Sequence, residues 1–328
     1  MKRTESISSS KPKISTEGGR AYRNPLDYDH PYPSMAEFAK RLTLRHDANR
    51  TRHSYYRDLR LIHEHFGCDP ATLTEEQVRD YLLFVKTGKR WKPKTIRQTV
   101  ASASIFFVEQ LGHSGWTVFS QVKTKDHGEL PAVLTRPQVR DLLAHVRLRR
   151  YRTPLKLIYC CGLRLGECLS LTIHDVLGNE NKLWVRRGKG ARDRMVPLPT
   201  PMVEDLRQYW AFHRNPLLLF PNAGRGGQGD PAKVAQRMKN ATSPMPYSSL
   251  QRLMLGARKE LNLPGVSAHT LRHSYATHLV EAGASLHTVQ ALLGHRQISS
   301  TMVYLHLTHH SEQDALRLAE GLCVGLPR

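Results

Sequence analysis

Apolar positions recur three and four residues apart through four stretches of the first third of the chain, the spacing of amphipathic helices. These are Ser34 to Arg45 (Met35, Phe38, Leu42), Thr51 to Phe66 (Tyr55, Leu59, Ile62, Phe66), Thr74 to Lys86 (Val78, Leu82, Val85) and Pro93 to Leu111 (Ile96, Val100, Ile105, Phe106, Val108). Thr74 with Gln77 has the spacing of a capping box, and Pro93 suits a first helical turn. Four helices of this length predict a compact all-α domain over residues 26–120, a size that folds alone. Residues 1–25 are rich in Ser, Lys and Gly with little to bury, which predicts a flexible basic arm. Residues 121–134 break the period and carry Gly128 and Pro131, so they read as a linker.

From Thr135 the pattern is again helical. Thr135 to Gln138 (TRPQ) looks like a cap opening a helix that runs to about Arg147, and a second helix is expected from Thr153, with Pro154 at its start, to near Gly162. Lys182 to Leu198 departs from this, because two short apolar runs flank a Gly-containing turn and predict a β-hairpin. Asn222 to Pro246 is rich in Gly, Pro and basic residues and reads as a loop, with weak helical character near Val234 to Met238. The fold class is therefore mainly α with one small hairpin, in two domains, the second spanning residues 135–328. There is no internal repeat.

Charge narrows the function. The 328 residues carry a formal charge of +21, and both parts are basic: 22 Lys and Arg against 15 Asp and Glu in residues 1–130, and 27 against 13 in residues 131–328. That is the footprint of a protein that tracks a phosphate backbone. The segment Thr87 to Lys94 (TGKRWKPK) is the densest basic stretch of the first domain, which makes Lys89, Arg90, Lys92 and Lys94 candidate DNA contacts. No apolar run is long enough to span a bilayer, and the N-terminus lacks a signal core, so a cytoplasmic protein with no membrane partner is expected. The five cysteines, Cys68, Cys160, Cys161, Cys168 and Cys323, have no metal spacing and read as reduced thiols.

Chemistry concentrates in five short motifs: GLRLGE (Gly162 to Glu167), the Gly-Lys-Gly turn at Gly188 to Gly190, HTLRHSYATHL (His269 to Leu279), LLGH (Leu292 to His295) and TMVYLH (Thr301 to His306). Taken singly, each has an ordinary structural explanation. Arg164 and Glu167 could be a plain ion pair, Lys189 a solvated turn residue among Arg186, Arg187, Arg192 and Arg194, and His295 a C-cap whose positive charge suits the helix dipole. His269 and Arg272 are three apart on one helical face, flanking a core stripe of Ala268, Leu271, Tyr275 and Leu279, near an N-terminus that favours anions. Zinc on His269 and His273 is the competing reading; Arg272 between them opposes a dication and no HExxH is present. Tyr304 falls off the stripe of Ile298, Met302 and Leu305, on the side of Thr301. Together, two arginines, a lysine, two histidines and a tyrosine suit attack on a phosphodiester without a metal.

At these positions the chain resembles the tyrosine recombinase (phage integrase) family, over nearly everything from Asn24 onward. The family pattern falls on Arg164 with Glu167, Lys189, His269, Arg272, His295 and, nine residues later, Tyr304, with no position missing. The resemblance implies an N-terminal helical core-binding (SAM-like) domain and a C-terminal catalytic domain of the DNA breaking-rejoining fold. It also implies a site-specific recombinase or integrase that uses no cofactor. Tyr304 would form a 3′-phosphotyrosyl bond and His269 would help remove its proton. Arg164, Arg272 and His295 would hold the phosphate, Lys189 would protonate the 5′-oxygen, and Arg187 and Arg192 would join the DNA contacts. The implied partner is double-stranded DNA with inverted-repeat core sites. A homotetramer is implied on synapsed DNA, and a monomer or weak dimer when free. The tail has a helical period (Leu316, Ala319, Leu322) that could pack on its own domain or on a neighbour. The rival readings are a type IB topoisomerase, a DNA-binding regulator without catalysis, and a metal-dependent nuclease.

Overall fold

The computed structural model describes residues 26–124, 131–186, 193–224, 230–295 and 297–304, with the backbone of 16–17 and 20–21. The chain divides into two compact units, Met1–Gly128 and Glu129–Arg328, the division falling inside the 121–134 stretch.

In the first unit a short antiparallel pair, β1 (Thr16–Glu17) and β2 (Arg20–Ala21), lies in the segment expected to be a flexible arm; the rest of residues 1–25 is outside the described residues. The helices are α1 (Pro33–Arg45), α2 (Asn49–Phe66), α3 (Glu75–Leu83), α4 (Pro93–Ser104) and a single turn, α5 (Val118–Gln121). The capping box of Thr74 and Gln77 opens α3. The apolar stripes meet in one core, with Met35, Phe38, Leu42, Leu59, Ile62, Val78 and Phe106 fully buried and Phe38 edge-on to Phe106. Within it, the Asp58 carboxylate of α2 accepts hydrogen bonds from Arg57 and from Gln98 of α4. Burial pushes its pKa up, against the lowering by those two partners.

Two predicted helices end differently from expectation. α3 and α4 run on into π-helical turns, Phe84–Gly88 and Ile105–Gln110, in which Lys89 N donates to Phe84 O and Leu111 N to Phe106 O. The wider turn lets the consecutive residues Ile105, Phe106 and Phe107 all be buried, where an ordinary α-helix would spread them over more than half its circumference. After the first of these turns, Lys89, Arg90, Lys92 and Lys94 are all exposed.

The second unit opens with α6 (Arg136–His145), α7 (Arg149–Cys161) and α8 (Leu165–Leu169). A three-stranded antiparallel sheet follows: β3 (Val176–Leu177), β4 (Lys182–Val185) and β5 (Arg194–Pro197), with Leu183 opposite Val196 in the hairpin register. The hairpin was expected; β3, only two residues long, was not. Then come α9 (Thr200–His213), α10 (Pro231–Lys239), α11 (Tyr247–Glu260), α12 (Ala268–Glu281), α13 (Leu286–Leu293) and α14 (Ser299–Met302).

Two expectations are corrected. α7 starts at Arg149, so Pro154 lies inside the helix rather than at its start; its missing N–H removes one bond in the second turn, and burial of the segment outweighs that loss. The supposed loop at 222–246 contains α10, capped by Asp230, whose carboxylate accepts from Ala232 N, with Val234 and Met238 in the core. Asn215, buried after α9, fastens this helix. Its amide donates to the carbonyls of Met238, Lys239 and Ala241, while its oxygen accepts from the N–H groups of Leu217 and Leu218.

Helix α12 packs on α7 and is buried on nearly all sides, including Thr270, Arg272, Ser274, Ala276 and Val280. The expected stripe is only partly right, since Tyr275 and Leu279 are half-buried. This matters for the site: a central helix carries its arginine into the protein. Cys68, Cys160, Cys161 and Cys168 are free thiols, and Cys323 lies outside the described residues. Among the described residues no helix is long and apolar enough to cross a membrane.

Candidate active site

Gly162, in a left-handed conformation (φ 62°), ends α7, and Arg164 stands as the N-cap of α8. A cation at a helix N-terminus is unfavourable without a counter-charge. Glu167 supplies one: its carboxylate accepts Arg164 N at 2.9 Å and Arg164 Nη1 at 2.6 Å. The same carboxylate receives a forked pair of bonds from Arg194 of β5, at 2.7 and 3.2 Å. Arg272 Nη1 lies 3.7 Å from it. Three guanidinium groups thus share one carboxylate whose side chain is only 5 % exposed. Burial alone would raise the pKa of Glu167. The hydrogen bonds and charge of Arg194, and then the backbone and side chain of Arg164, overcome that and hold it at about 2.

Arg272 is buried because it closes two helices. Its Nη1 donates to Gly162 O (2.6 Å), and its Nη2 donates to Leu293 O (2.7 Å), the last residue of α13. Arg194 Nε donates to the neighbouring Leu292 O at 2.9 Å. Carbonyls at helix C-termini lack intrahelical donors and carry partial negative charge, so they compensate a desolvated cation. Burial, then repulsion from Arg164, still lowers the pKa of Arg272 to about 10, against the opposing pull of Glu167. It remains charged at neutral pH. Both glycines in these turns are fixed by contact as well as by positive φ. A Cβ on Gly162 would lie 2.5 Å from the Tyr275 ring, and one on Gly294 would lie 3.1 Å from Arg194 Cδ.

His295 follows Gly294. Its Nε2 is 3.2 Å from Arg272 Nη2, which can only donate, so Nε2 accepts; Nδ1 therefore carries the proton toward Thr301 Oγ1 at 3.0 Å. Burial first, then Arg272 and Arg164, lower its pKa to about 4. The cationic C-cap expected from sequence is thus a neutral ring at pH 7. Tyr304 ends the described chain, 2 % exposed among Ala276, Val280, Val289 and Leu293, its ring nearly parallel to that of His295. Its hydroxyl lies 3.0 Å from His273 Nδ1. Burial raises the phenol's pKa, while Arg272 and Arg164 pull it the other way.

The face of this last segment is the reverse of the expected one. Thr301 and Tyr304 are buried and Ile298 and Met302 exposed, because α14 is a single turn and both polar tips find partners, His295 and His273. Leu305 lies outside the described residues. His269 is exposed in the first turn of α12, one turn before His273. Lys189, Arg187 and Arg192 lie outside the described residues, as does the tail with Leu316, Ala319 and Leu322.

Arg194 and His273 were not singled out from sequence for these contacts. Alternation in β5 does carry a signal for Arg194, since it shares a face with buried Val196. Among the described residues, no three His, Cys, Asp or Glu side chains gather so as to hold a metal ion.

Residues 132–311 match the family described as "Phage integrase family", and residues 35–115 match "Phage integrase, N-terminal SAM-like domain". Integrase/recombinase y4qK of Sinorhizobium fredii is 30 % identical over 275 residues, covering 84 % of each chain. A tyrosine recombinase of Thermosipho africanus is 28 % identical over 284 residues, covering 83 % of this chain and 94 % of its own. Among solved structures, the fold is similar to that of the Tn1549 transposon integrase in complex with transposon right end DNA (TM-score 0.64, 18 % identity, 88 % of this chain and 98 % of that one). It is also similar to XerH site-specific recombinase bound to difH substrate (TM-score 0.60, 20 % identity, 90 % and 87 %). The chain belongs to the phage integrase family of tyrosine recombinases and is a site-specific DNA recombinase.

Proposed function

We propose that this recombinase cuts and rejoins duplex DNA through a 3′-phosphotyrosyl bond to Tyr304, using neither metal nor ATP. What carries this is the gathering of Arg164, Arg194 and Arg272 on the single carboxylate of Glu167, beside a phenol whose anion two of them favour. One carboxylate leaves about two positive charges unbalanced, suited to a phosphodiester whose charge grows in the transition state. Arg164 and Arg272 bind the non-bridging oxygens. His295 accepts from Arg272 at Nε2 in the resting site, and it donates to the phosphate once Nε2 takes up a proton, which the phosphate's negative charge favours. His269 adds a donor from the first turn of α12, and Lys189 protonates the departing 5′-oxygen. The covalent link retains the energy of the broken bond, so rejoining needs no nucleotide.

The partners are duplex sites of inverted-repeat sequence, which Lys89, Arg90, Lys92, Lys94, Arg187 and Arg192 help to hold, with four protomers at the synapse, in the cytoplasm. Tyr304→Phe tests the scheme on a nicked suicide duplex. The expected result is unchanged DNA affinity with no covalent adduct, while the wild type forms its adduct equally well in EDTA. An adduct on the Phe variant refutes the nucleophile, and a requirement for divalent metal favours a nuclease.

A further inference from the structure

We propose that His273 takes the proton of the Tyr304 hydroxyl as the phenol attacks, and that the DNA phosphate converts His273 from a resting acceptor into a working base. This rests on the phosphotyrosyl reading above. The resemblance gave the task to His269; the geometry points to the histidine one turn further along α12, whose Nδ1 is 3.0 Å from the reacting oxygen. Tyr304 sits in the apolar cluster of Ala276, Val280, Val289 and Leu293, with the His273 imidazole in hydrogen-bond reach of its hydroxyl.

The groups facing His273 explain the switch. His269 and Arg272 lie on its own helix, and Tyr304 and His295 face it from the C-terminal segment. Burial, then His269 and Arg272, hold its pKa at about 4. At pH 7 the ring is therefore neutral. With its proton on Nε2, its Nδ1 accepts the phenol O–H, a bond that keeps Tyr304 protonated and inert. An imidazolium here is opposed by burial first, then by His269 and Arg272. A phosphate seated on Arg272 brings negative charge close to the ring and offsets the repulsion from the cations, so proton transfer is easier with substrate in place than without it.

The step balances. The Tyr304 O–H bond breaks and its proton goes to His273 Nδ1 while the phenol oxygen bonds phosphorus. The bond from phosphorus to the 5′-oxygen breaks, and that oxygen takes a proton from Lys189. On rejoining, His273 returns its proton to the departing phenol oxygen.

The test uses the full-length protein and a nicked duplex selected by the wild type from a random-sequence pool. His273→Asn keeps an acceptor near the Nδ1 position but cannot hold the proton. It is expected to bind the duplex within twofold of wild type and to form adduct ~10²–10⁴ times more slowly at pH 7, the usual worth of a positioned base. The wild-type rate should level off once the ring is neutral, whereas the variant's rate climbs about tenfold per pH unit as hydroxide replaces the base. A 5′-bridging sulfur, which leaves without a proton, should not restore the variant. Adduct formation within threefold of wild type with the same pH profile overturns the proposal, as does rescue by sulfur. If His273→Asn fails to fold, His273→Gln and the wild-type profile decide, and a wild-type rate that climbs about tenfold per pH unit between pH 6 and 9 overturns it. Absence of any wild-type adduct at Tyr304 instead refutes the phosphotyrosyl chemistry.

Discussion

Replacing Glu167 by Gln removes one charge and almost no volume from the point where three arginines meet. The carboxylate's pKa falls from 4.5 to about 2 on folding. At ~1.4 kcal/mol per unit, its ionised form contributes about 3 kcal/mol to the folded state. Its side chain is 5 % exposed, so solvent screening takes little from that figure. The sign follows from a depressed folded-state pKa. The contribution is complete above pH 4.5 and is lost as pH falls toward 2. Glu167→Gln should therefore be less stable than wild type by about 3 kcal/mol at pH 7, with the gap closing as the pH is lowered from 4.5. Urea unfolding of the second unit measures this through Trp184 and Trp210, after Trp91 and Trp116 of the first unit are changed to Phe. A gap that stays constant between pH 7 and pH 3, or one under about 1 kcal/mol at pH 7, refutes the role of Glu167 as shared counter-ion.

Two further outcomes follow from packing. Gly162→Ala must place a Cβ 2.5 Å from the Tyr275 ring at a positive φ, which should cost at least ~2 kcal/mol; because Gly162 O also accepts from Arg272, adduct formation should fall more than DNA affinity does, as single-turnover cleavage and gel-shift titration will show. Asn215→Ala breaks the bonds holding α10 to the exit of α9, at a cost of about 3 kcal/mol. Since Asn215 touches no catalytic group, thermal melting should register the loss while cleavage well below the melting temperature keeps its wild-type rate.

The parts of this molecule legible in the sequence are those whose causes are local. The four helices of the first unit follow from apolar spacing, the α3 start from its capping box, and the hairpin from alternation about a turn. The Arg164–Glu167 pair was visible because its members are three residues apart. In sequence Arg194 looks like one more charge in a basic turn, since its partners stand 27 and 98 residues away. Periodicity counts apolar side chains and is blind to hydroxyls whose acceptors come from elsewhere, which is why it placed Ile298 and Met302 inside and Thr301 and Tyr304 outside. The π-helical turns escaped for a similar reason: one extra residue per turn leaves no mark in composition.

The way Arg272 and Arg194 seize the closing carbonyls of α7 and α13 has a consequence for how the chain comes to maturity. Arg272 is fully matched only when residues as distant as 162 and 293 have met, and Arg194 only when Leu292 has joined Glu167. A polypeptide interrupted before α13 would keep Glu167 and Gly162 O as acceptors but lose the carbonyls of Leu292 and Leu293, leaving one donor of each buried guanidinium unmatched. Such a fragment is less able to compact, so the arginine cluster is completed only together with the last helices.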